Sequence, residues 1–76
     1  MLVEVIFNHD SYKYRMENED KLLLYNPRTG NLFFITGNSK ELLLKIINCQ
    51  VCSVDESNKY IKFFIFNEIL LRRENQ

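Results

Sequence analysis

The stretch Lys21–Ile47, KLLLYNPRTGNLFFITGNSKELLLKII, constrains this chain more than any other. Lys21–Tyr25 is a compact apolar run of the length of one strand. Asn26-Pro27-Arg28-Thr29-Gly30 follows, with proline fixing φ early in a turn and glycine free to take positive φ at its end. Asn31–Ile35, NLFFI, then returns, so the two runs predict an antiparallel hairpin. NLFFI carries Leu32 and Phe34 on one face and Phe33 and Ile35 on the other. Both faces are apolar, which in a small domain means burial on both sides or one face held for a partner.

After the hairpin a helix is predicted from Asn38 or Ser39 to near Asn48. Asn38 and Glu41 have the spacing of a capping box, and Leu42, Leu43, Ile46 and Ile47 supply its buried stripe. Ser53-Val54-Asp55-Glu56 reads as a second capping box, opening a helix that runs to about Leu71 with Arg72 and Arg73 near its negative end. On that helix Val54, Tyr60, Ile61, Phe64, Ile65 and Ile69 fall on one core arc, and Asp55, Lys59 and Lys62 mark the wet side. Phe63, Phe66 and Leu70 lie outside the arc. Leaving a Phe in water forgoes about 2–3 kcal/mol of burial, so these three imply a contact surface, looser packing or a dimer contact. Upstream, Leu2–Phe7 reads as a strand, Asn8-His9-Asp10 as a turn and Glu17–Asp20 as an acidic turn. Ser11–Met16 between them reads as a half-exposed strand with Tyr12, Tyr14 and Met16 inward.

At 76 residues the chain is expected to form one domain, and its 46% hydrophobic content argues for a folded core over a disordered tail. Ten basic and ten acidic residues cancel, which speaks against nucleic acid as a partner. A predicted last helix presenting Phe63, Phe66 and Leu70 beside Lys59 and Lys62 likewise lacks the Arg, Lys, Asn and Gln array that reads base edges. The N-terminus has neither the basic start nor the apolar length of a secretory signal. No apolar run approaches the roughly 20 residues that span a bilayer. The expectation is a cytoplasmic protein with reduced cysteines and no membrane partner.

Cys49 and Cys52 form a C-x-x-C, but zinc needs four ligands and the remaining candidate, His9, is far away in sequence. The pair also follows a predicted helix, whereas a redox pair sits at a helix N-terminus. It reads as two small apolar residues in a helix–helix connection, with a zinc shared across a dimer as the alternative. His9, beside Asp10 and Ser11, reads as a turn histidine. With two glycines there is no phosphate-cradling loop. These readings predict no catalytic residues, no metal, no cofactor and no enzymatic activity.

The run KLLLYNPRTGNLFFITGNSKELLLKI resembles the PqqD-like family, the RiPP recognition elements. The resemblance is carried by Leu22–Leu24 as the first strand, Arg28-Thr29-Gly30 as the turn, Leu32–Ile35 as the aromatic second strand and Leu42–Ile47 as the helix. Phe63-Phe64 and Ile69-Leu70-Leu71 look like the family's last helix and closing segment, with Glu68 standing where that segment would have glycine. The similarity covers about residues 20–71. It implies an α+β, winged helix-turn-helix-like fold: a small antiparallel sheet of about three to four strands followed by two or three helices. It implies a function as well, the capture of the leader of a ribosomally made precursor peptide by strand addition. The leader would be presented to a separate modifying enzyme such as a radical SAM enzyme, a cyclase or a protease. The implied peptide-binding residues are Leu32, Phe33, Phe34 and Ile35 on the strand, with Tyr60, Phe63, Phe66, Asn67 and Leu70 on the helix side. A small DNA-binding regulator and a self-associating, homodimeric subunit are the competing expectations.

Overall fold

In a computed structural model, which describes residues 2–49 and 51–73, the chain is an α+β domain. Its elements in order are β1 (Leu2–Phe7), β2 (Lys13–Met16), β3 (Lys21–Tyr25), β4 (Leu32–Thr36), α1 (Gly37–Asn48), β5 (Cys52–Asp55), α2 (Lys59–Phe66) and β6 (Leu70–Arg72). The strands make two antiparallel sheets of three, ordered β2-β3-β4 and β5-β1-β6, in place of the one sheet of three to four strands expected. The helices number two among the described residues, and β5 separates them.

The predicted hairpin forms as β3 and β4, with Leu22 opposite Ile35 and Leu24 opposite Phe33. Its turn is set by side-chain chemistry. The Asn26 carboxamide oxygen accepts from Arg28 N–H at 2.9 Å and Thr29 N–H at 3.2 Å. Gly30, at φ +80°, closes the loop by donating to Asn26 O. Leu22, Leu24 and Ile35 enter one core together with Val5, Phe7, Tyr12, Leu43, Ile46, Val54, Ile61, Phe64, Ile69 and Leu70. No residue of β2 is buried; Tyr12, just before it, is. Tyr14 and Met16, expected inward, are exposed, and Tyr14 meets the Phe7 ring edge-on.

Helix α1 begins earlier than predicted, at Gly37, and Asn38 does not cap it. Thr36 is the N-cap residue without a side-chain cap bond, and Ser39 Oγ donates to its carbonyl at 2.6 Å. Leu43 and Ile46 are buried as predicted, with Leu42, Leu44 and Ile47 packed around them. Lys40 is also buried, at 7% exposure, and is anchored by its ammonium, which donates to Glu19 O at 2.6 Å and pairs with Glu41 at 3.1 Å. A buried ammonium is tolerated only with such partners.

The second predicted helix is the main correction. Ser53–Glu56 is no capping box, since Cys52–Asp55 is a strand whose residues oppose Val5 back to Leu2. Val54 turns inward from it, and a buried strand position outweighs a local cap signal. Asp55 instead organises the turn that follows. Ser57 donates to its carboxylate from hydroxyl and backbone, which holds the Asp55 carboxyl below its usual range. Asn58 is the actual cap, with its Oδ1 accepting from Tyr60 and Ile61 N–H.

Helix α2 also ends before Leu71. Asn67 is its C-cap, Glu68 takes φ +59°, and two bonds seal the end: Glu68 N–H to Ile65 O and Ile69 N–H to Phe64 O. This is a Schellman motif with the buried Phe64–Ile69 pair as its apolar clasp. Glycine suits the left-handed position best, and the resemblance places a glycine there. Glu68→Gly is therefore expected to raise stability by about 1 kcal/mol, read as a higher urea midpoint at unchanged slope. A lower midpoint would mean that the Glu68 side chain itself stabilises the fold.

Candidate functional site

Hydrogen-bond phase decides what β4 offers its surroundings. Asn26 N–H donates to Asn31 O at 2.9 Å, so that pair bonds across the hairpin. By antiparallel alternation Phe33 and Ile35 also bond to β3, and the N–H and C=O of Leu32 and Phe34 point to the far side. Among the described residues no strand pairs there, and β4 is an edge. A row of outward donors and acceptors is a template for one more strand.

The two faces of β4 differ in burial. Leu32 and Phe34 lie on the outer face at 55% and 56% exposure, with the Lys21 ammonium 5.1 Å from the Phe34 ring centroid. Phe33 is half-buried on the inner face, and Ile35 is fully in the core. Ile35, expected among the peptide-binding residues, is a correction: its backbone bonds to β3 and its side chain is in the core, so it offers the edge neither.

Helix α2 reaches β4 through one aromatic contact. Phe63, 42% exposed, meets Phe33 edge-on with ring centroids 5.6 Å apart and also touches Phe64. The helix C-terminus lies by the β3–β4 turn, where Phe66 and Asn67 face Thr29 and Asn31 across a cavity. α2 thus runs opposite to β4, with Phe63 beside Phe33 and Phe66 near Asn31. Phe66 is 86% exposed. Tyr60 is half-buried against the core, and Lys59 sits over its ring at 5.2 Å. Leu70, expected on this surface, is a correction: it is 1% exposed and lies opposite Phe7 in β6, because the helix stops before it. The structure thus gathers Leu32, Phe33, Phe34, Phe63, Phe66 and Asn67 along one edge and leaves Leu70 out.

The cavity at that junction was not foreseen from the sequence. It has a volume of about 270 Å³ and is lined by Tyr12, Asn26, Asn31, Asn67 and Glu68, among others. Tyr12 Oη donates to Asn67 O at 2.8 Å, and Asn8 Nδ2 donates to Glu68 O at 2.8 Å, tying the end of α2 to the chain before β2. Burial pushes the Tyr12 phenol up, Asn26 opposes this through a hydrogen bond, and the nearby Glu68 carboxylate adds to the rise. Asn26 had been legible only as a turn former, and Tyr12 only as core.

The cysteines carry no comparable geometry. Cys49 is exposed just past α1, and Cys52 opens β5 with its thiol pushed up by burial and by Cys49. The connection they frame joins a helix to a strand, not two helices. Among the described residues no three His, Cys, Asp or Glu side chains gather as a metal site, and no helix is long and apolar enough to cross a membrane. Comparison of the chain with protein-family profiles, with curated proteins and with solved structures gives no match.

Proposed function

We propose that this chain is a peptide-binding adaptor of the RiPP recognition element type. It captures the leader of a ribosomally made precursor and presents it to a separate modifying enzyme in the cytoplasm. The observation that carries this reading is the open edge of β4, with Leu32 and Phe34 backbone groups facing outward beside the exposed Phe63 and Phe66 of α2. In this reading the leader adds antiparallel to β4, main chain to main chain. Its apolar side chains then lie against Phe33, Phe63 and Phe66. The hairpin beside α2 plays the part of the wing in the winged-helix arrangement. Tethering a precursor in this way raises its local concentration at the enzyme without any chemistry by the adaptor.

The test is an NMR amide titration with the leader of a short peptide encoded beside the gene. Shifts confined to about residues 31–36 and 60–68 are expected. Leu32→Pro, which removes an outward N–H at the first strand position where proline is tolerated, should weaken binding at least about tenfold for roughly one to two lost hydrogen bonds. A folded protein with no shift at millimolar leader counts against the reading, as does Leu32→Pro binding like the parent. A second reading, self-pairing of β4 edges into a homodimer, draws on the same exposed Leu32 and Phe34. Concentration-dependent sedimentation without leader would favour it.

A further inference from the structure

We propose that the cavity between the C-terminal end of α2 and the β3–β4 turn is a receptor for a guanidinium or ammonium side chain of the captured peptide. Its lining residues include Tyr12, Asn26, Asn31, Phe66, Asn67 and Glu68. They supply one carboxylate, several neutral oxygens and two aromatic rings, and no cationic group. The C-terminal end of α2, the negative end of its dipole, lies at the same cavity. Burial raises the Tyr12 phenol, Asn26 lowers it through a hydrogen bond, and the Glu68 carboxylate raises it from nearby. A planar guanidinium can bond several such oxygens at once, and Phe66, 86% exposed at the rim, offers a ring face for it to stack on.

Glu68 provides an independent reason. It is the one described non-glycine residue with positive φ, at +59°, in a position that glycine fills without strain. A strained residue at a cavity, with its carboxylate near enough to raise the Tyr12 phenol, points to a role for its side chain beyond the fold. The Schellman turn needs the backbone conformation alone; the carboxylate serves the cavity.

Where the cation sits in the peptide rests on the strand-addition reading. A strand antiparallel to β4 runs from the Thr36 end towards Asn31, and the cavity lies beyond Asn31. The captured peptide would then carry Arg or Lys just C-terminal to its strand-forming residues. The cavity's preference for a cation does not depend on that reading, and its test is separate from it.

The probe is N-acetyl-arginine N-methylamide, with the citrulline analogue as a neutral isostere, titrated into the isotope-labelled protein. Saturable amide shifts at Ser11, Asn31, Asn67 and Glu68 are expected, with an affinity on the order of 10 mM. The citrulline analogue should shift them little. Glu68→Gln should weaken the arginine probe roughly fivefold, in keeping with a partly exposed ion pair, while the melting profile stays close to the parent's. Equal shifts from both probes, no shift at these residues, or unchanged affinity in Glu68→Gln would each overturn the proposal. A leader that binds along β4 while the arginine probe ignores the cavity would sink this inference and leave the adaptor reading standing. The reverse outcome would do the opposite.

Discussion

Leu70→Asp is expected to leave the chain largely unfolded at room temperature, while Phe66→Asp, four residues earlier, melts close to the parent. Leu70 is 1% exposed in β6, where it opposes Phe7 of β1. The substitution loses about 2–3 kcal/mol of side-chain burial and places a carboxylate where it has no partner, at a further cost of several kcal/mol. A core of this size rarely supplies more than about 3–5 kcal/mol in total, so the sum exceeds the reserve. Phe66 is 86% exposed and gives up little burial. An acid one position before the C-cap opposes the helix dipole, and the whole change should stay within about 1 kcal/mol. Circular dichroism melts of the two variants decide the matter. Similar melts would return Leu70 to the surface and α2 to its longer, sequence-predicted form.

Phe64→Ala carries the second large effect. Phe64 is 1% exposed, packs with Ile69 as the apolar clasp of the α2 terminus, and touches the Phe63 ring. Truncating a buried Phe costs about 3–5 kcal/mol, comparable to the whole stability expected here. The variant should show a urea midpoint near zero or a population already unfolded without denaturant. Phe63→Ala is the control. Phe63 is 42% exposed, and its loss should cost clearly less while removing the ring that joins α2 to Phe33. If the two variants were destabilised alike, Phe63 would be a core residue and not part of the exposed surface beside β4.

These two pairs mark where local and tertiary information part. The hairpin Lys21–Thr36 was legible because its signals are local: two apolar runs, a proline early in the turn and a glycine where φ must turn positive. The span and buried stripe of α1 were legible for the same reason, as a 3.6-residue period over three turns. The cap itself was misassigned, because Asn38 has the spacing of a cap while the chain turns into the helix already at Gly37, φ +61°. The two-faced character of NLFFI was also visible, though not which face was held for the core.

What tertiary structure decided lies at contacts between distant parts of the chain. Ser53–Glu56 looks like a helix start in a local window, yet Cys52–Asp55 becomes β5 because it pairs with Leu2–Val5 at the other end of the chain. Once β5 is taken out, α2 shortens to Lys59–Phe66, Asn58 becomes its cap, and Leu70 passes from helix surface to strand core. The polar cavity follows from that shortening, since only a helix that stops at Asn67 brings Glu68 to the β3–β4 turn. Amino-acid pattern by itself determined the hairpin, the first helix and a surplus of apolar side chains. Strand pairing across the whole chain, which no local period encodes, decided which apolar side chains were spent on the core and which remained along the open edge of β4.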